Sequence, residues 1–450
     1  MILTRPFRKP IWLISSFIKK YQKIFFLAAL IGACLFIFIK NFLPLILPKI
    51  KPTKRIGFVG QYTLNNLPSG LNNAISRGLT KINSEGLIEP DLAISWEINQ
   101  EGTKYKFILD SAAFWSDGTQ IKAQDLDLKI PETKINIIDD FTLEFELKEP
   151  YAPFLSLLSR PLFKNQKIGA SVFTLKSIKY SGPYLKTLEI AGPTQNFIYR
   201  FYPSNESAWL GFRLGEIDQL NNLLINPVHQ NSAWKDKIKV NEELNRSQYL
   251  AIIFNLADPY LSNKSFRQSL AYAIEKKAPN PEARALTPIR PDSWAFNPKV
   301  KPYEYNPVQA KELFEKFSTE ATISGELEIN LATSQTFLPL AESIALSWEN
   351  TLGIKTKVKV VNNIEPNFQA LLITQLIPLD PDQYALWHST QSTNITHYSD
   401  LKIDKLLEDG RRISDLKKRK EIYLDFQRFL VEDLPAIFLQ YPTSYTISRR

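Results

Sequence analysis

The sequence predicts an α/β protein preceded by a membrane-spanning N-terminal helix, and three observations predict it. Ile24–Ile39 is a run of sixteen apolar residues without a charge. Four stretches downstream alternate in hydrophobicity with the period of strands. Residues 326–362 read as strand, helix, strand, the crossover unit of a parallel sheet.

The leader comes first in the chain. The 450 residues carry a net charge of +9. Residues 1–50 hold eight basic residues and no Asp or Glu, which leaves +1 for the remaining 400. The basicity therefore belongs to the leader, and no polyanion-binding face for nucleic acid is expected. Sixteen residues of helix rise about 24 Å, short of the ~30 Å hydrocarbon core. Phe42–Leu47 extends the span, with Lys40 snorkelling. Six of the eight basic residues (Arg5, Arg8, Lys9, Lys19, Lys20, Lys23) precede it. The N-terminus is thus expected in the cytoplasm, and the chain beyond about Lys49 outside the membrane. A core helix of a soluble protein is the competing reading, but a soluble helix is seldom apolar all round, and the Ala-x-Ala cleavage pattern is absent. Leu30-Ile-Gly-Ala-Cys34 resembles a lipid-attachment box, but Leu35–Ile39 after it remains apolar. An uncleaved anchor is the expectation, and lipidation of Cys34 the alternative. The predicted organisation is a basic segment (1–23), an anchor (24–47), a Pro-punctuated linker (48–54) and an exported body.

In the body, strands are expected at Tyr105–Asp110, Phe141–Lys148, Phe197–Tyr202 and Tyr249–Leu256. Helices follow. Ser265–Lys276 places Phe266, Leu270 and Ile274 on one face. Asn306-Pro307 reads as N-cap and N1 of a helix whose Ala310, Leu313, Phe314 and Phe317 recur at helical spacing. Residues 326–333 form a strand, Leu338–Leu352 a helix closed by Gly353, and Lys355–Asn362 a second strand. Asp415 caps a last helix, with Tyr423, Phe426 and Leu430 inward, ending before Pro435. Each aromatic stripe is read as core packing.

Catalytic signatures are missing. Cys34 is the one cysteine and lies in the leader. The histidines are His229, His388 and His397, without an HExxH pair. No phosphate-binding glycine loop or nucleophile elbow occurs. No enzyme, metal site or cofactor is expected. Asp380-Pro-Asp382 suits acid–base work, a metal site shared with His388, or the capping of a turn before Gln383–Trp387. From Asp380 to Tyr398 the chain gathers Tyr384, Trp387, His388, Asn394, His397 and Tyr398 with these carboxylates. Aromatic walls with a few fixed hydrogen-bonding groups are the chemistry of a polar-ligand pocket. A structured loop with internally satisfied polar groups is the competing reading.

The order of phrases carries a resemblance. Gly86-Leu-Ile-Glu-Pro-Asp-Leu-Ala-Ile-Ser-Trp96, Tyr105-Lys-Phe-Ile-Leu109, Phe114-Trp-Ser-Asp-Gly-Thr119 and Ala123-Gln-Asp-Leu126 resemble the opening of the family 5 extracellular solute-binding proteins. Ser181-Gly-Pro-Tyr184, Gly215-Glu-Ile-Asp218, Phe254-Asn255, Phe266–Ile274, Asp380-Pro-Asp382, Asp404-Lys-Leu-Leu407 and Asp433-Leu-Pro435 continue the series to about Tyr445. The resemblance implies a two-lobed, hinge-linked, periplasmic-binding-protein-like α/β body. Lobe I would run over 55–246 plus 433–450, taking back a strand near Ile437–Tyr441, and lobe II over 247–432. It implies a monomer that captures a short peptide or similar polar solute and passes it to ABC permease subunits. The alternative is a surface sensor or adhesion module that keeps the fold without transport. Ligand contacts are expected from Tyr62, Asn65, Asn66 and Asn255, and from Asp380, Asp382, Tyr384, Trp387, His388, Asn394 and Tyr398. Tyr384 and Trp387 would be the aromatic walls. Three departures stand out. The stretch after Leu126 is shortened. Leu376-Ile-Pro-Leu379 lacks the Asp with which peptide-binding members meet an α-amino group. An anchor replaces a cleaved leader.

Overall fold

The computed structural model describes residues 5–46 and 51–450, apart from 65, 69, 129, 166, 167, 229–233, 235, 277–280 and 321–326. It divides into two compact units, Met1–Thr53 with Thr194–Asn196, and Lys54–Pro193 with Phe197–Arg450.

In the first unit a single helix runs from Arg5 to Ile46. Its window Lys19–Phe42 is long and apolar enough to cross a membrane, and none of it is buried. Phe26, Ile31, Leu35, Phe36 and Phe38 all face outward, as does Cys34. Outward apolar side chains on every turn leave water a large unfavourable surface and suit a lipid environment.

The second unit is built on three larger sheets. The seven-stranded sheet runs in the order Thr174–Ser181, Tyr184–Ala191, Asn196–Tyr202, Thr53–Val59, Gln219–Leu223, Thr443–Arg449, Ile238–Leu244. The five-stranded sheet has the order Lys355–Val360, Glu328–Thr333, Ala370–Leu376, Gln248–Phe254, Ala436–Gln440. The four-stranded antiparallel sheet has the order Ala93–Ile98, Lys104–Leu109, Thr142–Leu147, Thr133–Asp139.

Local chemistry explains the elements. In Lys104–Leu109 every second residue is buried, so Tyr105, Phe107 and Leu109 share the core face. Phe107 meets Phe145 edge to face at 5.5 Å, both fully buried, each burial contributing about 1.5–3 kcal/mol. The predicted crossover is present: Glu328–Thr333 pairs in parallel with Lys355–Val360, joined by the helix Leu338–Leu352. Gly353 closes that helix at φ +70°, where a Cβ would be strained. On its inner face Trp348 is fully buried and donates Nε1–H to the Leu270 carbonyl at 3.0 Å. Asp415 caps Leu416–Asp433 by accepting from Lys418 N at 2.8 Å.

Two expectations need correction. The helix foreseen over Ser265–Lys276 spans Lys264–Tyr272, and Asn263 caps it, accepting from Phe266 N at 3.1 Å. The strand near Ile437–Tyr441 does not return to the first lobe. Ala436–Gln440 pairs with Gln248–Phe254, and Thr443–Arg449 is the strand that lies beside Gln219–Leu223. The first four residues of Ala436–Gln440 are buried, as a strand inside the larger core requires.

The chain passes between the seven- and five-stranded sheets at two places. One is Asn245–Ser247, between Ile238–Leu244 and Gln248–Phe254, and the other is Tyr441–Pro442. Asn245 N donates to the Pro442 carbonyl at 2.9 Å, so the two crossings run side by side.

Candidate functional site

The segment 380–398 follows the strand Ala370–Leu376 and lies over the paired helices Leu401–Arg412 and Leu416–Asp433. Its carboxylates are committed to those helices. Asp380 receives Arg419 through Nη1 at 3.0 Å and Nη2 at 2.6 Å, a bidentate pair with 11% and 7% of the two side chains exposed. Arg419 also lies 5.6 Å from the Trp294 ring and 5.4 Å from the Tyr423 ring. Asp382 accepts from Arg411 Nε at 2.9 Å. Burial lifts the Asp382 carboxyl above the ordinary range, against the pull of Arg411. Each carboxylate also caps the turn: Asp380 accepts from Asp382 N and Asp382 from Tyr384 N, at 2.9 and 3.0 Å. Of the uses read for this pair, turn capping is the one whose contacts are present.

The remaining groups of the segment are distributed between its own scaffold and a stacked cluster. Arg411 lies 3.9 Å from the Tyr384 ring centroid, and Tyr384 stacks on His388 at 4.1 Å. His388 is buried, with Nδ1 2.9 Å from Thr390 Oγ1 and Nε2 3.5 Å from Glu408. Asn394 donates to the Tyr398 carbonyl at 2.9 Å and accepts from Thr396 Oγ1 at 2.6 Å, which ties the loop to itself. Tyr398 donates to Asp433 Oδ2 at 2.8 Å, and burial with that carboxylate pushes its hydroxyl pKa upward. Asn255 donates to the Phe368 carbonyl at 2.9 Å. Trp387 does not stand as an exposed wall. The short helix Tyr384–Trp387 turns it inward, where it is 3% exposed and its ring centroid lies 6.4 Å from that of Phe438. Among the described residues no group of three or more His, Cys, Asp or Glu is placed to hold a metal ion.

On the side of the seven-stranded sheet, Tyr62 packs on Phe201 at 5.4 Å. Burial raises its hydroxyl pKa, partly offset by the hydrogen bond from Asn222. Asn66 is exposed and its N–H closes a turn onto the Thr63 carbonyl at 3.1 Å, while Asn65 lies outside the described residues. Sequence reasoning missed what joins Tyr62 to the crossing. Asn222 Nδ2 donates to Tyr62 Oη at 3.2 Å, and Asn245 Nδ2 to Asn222 Oδ1 at 3.3 Å. Ser247 then donates its backbone N–H to Asn245 Oδ1 at 3.1 Å. Asn222 sits at φ +63°, a conformation Asn tolerates better than most side chains. An Asn-Asn pair within a strand of otherwise apolar inward residues was the available signal.

Two further contacts reach the five-stranded body from the residues around the four-stranded sheet. Trp294 N donates to the Glu85 carbonyl at 2.9 Å and Trp294 Nε1 to the Gly86 carbonyl at 3.2 Å. Ala152 N donates to the Arg411 carbonyl at 2.6 Å. Leu376 and Leu379, the uncharged stretch after the strand, are 58% and 47% exposed. A cavity of 260 Å³ also opens beside the seven-stranded sheet, lined among others by Gln61, Tyr184, Arg200, Tyr202 and Glu216.

The family model of the bacterial extracellular solute-binding proteins, family 5 Middle, matches residues 88–187 and 193–396. The chain belongs to that family. It is a family of binding proteins rather than of enzymes, and its two-lobed α/β fold is the one found here. The oligopeptide-binding protein AppA of Bacillus subtilis strain 168 is 25% identical over 65% of this chain and 60% of its own length. The probable D,D-dipeptide-binding periplasmic protein DdpA of Escherichia coli K12 is 23% identical over 78% of this chain and 79% of its own. Among solved structures, NikZ from Campylobacter jejuni in complex with Ni(L-His) superposes with a TM-score of 0.73 at 23% identity. That superposition covers 89% of this chain and 94% of NikZ.

Proposed function

We propose that this chain is a membrane-anchored, extracytoplasmic receptor. It takes up a short peptide or a comparable polar solute between two lobes and delivers it to an ABC permease. The observation that carries this reading is the paired crossing at Asn245–Ser247 and Tyr441–Pro442, the only backbone links between the seven- and five-stranded sheets among the described residues. Two adjacent short links are the form of a hinge, and a ligand with a preference for the closed arrangement shifts such an equilibrium. The peptide-binding names of AppA and DdpA support the solute class. The lobes are then 55–246 with the C-terminal strand, and 247 to about 440. The apolar helix around Cys34 serves as the anchor, with its basic end in the cytoplasm.

Two measurements test the reading. Mass spectrometry of small molecules retained by the detergent-purified chain should find a peptide or polar solute. A peptide pool should raise its melting temperature, because a ligand selective for the folded state stabilises it by mass action. A folded preparation that no peptide, nickel-chelate or sugar library stabilises would sink the proposal.

A further inference from the structure

One edge of the seven-stranded sheet gathers basic side chains. Ile56 pairs with Gln219, Gln219 with Ser448, and Ile238 with Arg449. Arg55, Asp218 and Arg449 therefore stand side by side at that edge, with Lys237 one residue beyond. Asp218 N donates to the Arg55 carbonyl at 2.7 Å, and Arg449 N to the Asp218 carbonyl at 3.2 Å. The turn after the helix Asn205–Arg213 belongs to the same edge. Arg55 Nη1 donates to the Gly215 carbonyl at 2.8 Å, and the Arg449 guanidinium donates to the Phe212 carbonyl. Leu214, held between those two anchor points, is 69% exposed.

Charge is unevenly shared here. Lys54, Arg55, Arg213, Lys237, Lys239 and Arg449 stand against Asp218 and Asp236. Arg55 is matched by Asp218 at 2.7 Å, and the other five basic residues form no ion pair among the described residues. Arg213, Lys237, Lys239 and Arg449 are exposed. Glu216 turns its carboxylate away, to Arg200 and Tyr202 at 3.1 Å each. Residues 51–450 carry only +1 in all, so the surplus at this edge is offset elsewhere on the body.

The same edge begins where the leader ends. Seven residues, 47–53, join Ile46 at the close of the leader helix to Lys54. Fully extended, they reach about 25 Å at most. Clustered Lys and Arg close to a bilayer are drawn to anionic headgroups over about a Debye length, ~10 Å at 0.1 M salt. An exposed Leu inside such a cluster suits the apolar boundary beneath the headgroups.

We propose that this edge is a membrane-docking face. Arg213, Lys237, Lys239 and Arg449 meet the headgroups of an anionic leaflet, and Leu214 enters the interface between them. The proposal rests on the anchor of the function proposed above and adds to it a fixed side of the body turned to the lipid.

The test uses the full-length chain reconstituted into vesicles of phosphatidylcholine, with and without phosphatidylglycerol. An environment-sensitive fluorophore is placed on Leu214→Cys in a Cys34→Ser background. With phosphatidylglycerol present, its emission should shift to the blue and brominated lipids should quench it, and amide exchange over 213–216 should slow in the unlabelled chain. Salt at ~1 M, where the Debye length falls to ~3 Å, should reverse all three. Charge reversal by Arg213→Glu, Lys237→Glu and Lys239→Glu together should cut the ratio of docked to undocked chains at least about a hundredfold, at roughly fivefold per residue. Unchanged exchange over Gln248–Phe254 shows that the variant keeps its fold. A label that stays aqueous in anionic vesicles overturns the proposal, as does one equally buried in both vesicle types. A label shielded only when other membrane proteins are added assigns the face to an acidic protein and overturns it too. In each of these cases a chain retained by the vesicles at ~1 M salt keeps its anchor. A chain that leaves both vesicle types under that salt has no anchor, and both readings fail.

Discussion

Arg419 shows how much rests on a single side chain. It is enclosed, doubly hydrogen-bonded to Asp380, and donates Nε–H to the Gly410 carbonyl at 2.7 Å. Removing one member of such a pair strands the other charge in a poorly solvated site. Arg419→Met is therefore expected to lower unfolding free energy by about 3–5 kcal/mol, with Asp380→Asn in the same background restoring much of the loss. Denaturant unfolding of the two variants checks this, and a single-variant loss below about 1 kcal/mol would contradict it. Gly86 is a second case. It adopts φ +81°, and a Cβ there would meet the Leu379 carbonyl oxygen at 2.9 Å. Gly86→Ala should destabilise by at least about 1 kcal/mol, through strain and through loss of the fit under Trp294. These partners were not legible in the sequence. Asp380 and Arg419 stand 39 positions apart, and nothing local to either residue names the other.

At the scale of the element, the helix Lys264–Tyr272 ends on an unusual cap. Lys276 donates its ammonium to the Ala271 carbonyl at 2.6 Å and to the Tyr303 carbonyl. Burial, then the nearby Arg284 charge, lowers its pKa to about 7, against the opposing pull of Glu304. An unfolded lysine keeps its proton to about pH 10.4. Between these values the unfolded chain binds more protons than the folded one, so raising pH favours folding. Stability should therefore climb from about pH 7 toward pH 9, and Lys276→Met should show a flatter profile over the same range. Parallel profiles in the two proteins would exclude the effect. Elements were the most legible level. The alternation in Tyr105–Leu109 and the Asn306-Pro307 and Leu352-Gly353 punctuation are local signals, and local hydrogen bonding honours them. The helix expected from Ser265 begins one residue earlier, at Lys264, under the same rule, because the Asn263 side chain caps it.

For the whole molecule, the crossings matter most. The chain of hydrogen bonds from Tyr62 through Asn222 and Asn245 to Ser247 ends at the link between the two larger sheets. Asn245→Ala removes the middle of that chain. It is expected to broaden the pair-distance distribution in small-angle scattering, as lobes freed from a restraint sample more arrangements. An unchanged distribution would show that the bonds exert no restraint. The same scale decided which strand goes where. Ala436–Gln440 and Thr443–Arg449 both read as strands, and only their pairing, with Gln248–Phe254 and with Gln219–Leu223, assigns them to different sheets.

By itself, then, the amino-acid order determined the apolar leader, the βαβ crossover, the two-lobed family and the uncharged Leu376–Leu379 stretch. Each of these depends on neighbours within a few turns of chain or on a phrase order that the residues carry openly. The tertiary structure alone decided that Trp387 turns inward, that Asp380 and Asp382 pair with arginines, and that the Tyr249 and Trp387 rings both lie against Phe438. Those outcomes depend on contacts between distant segments, whose free energy exists only once the core has closed and excluded water.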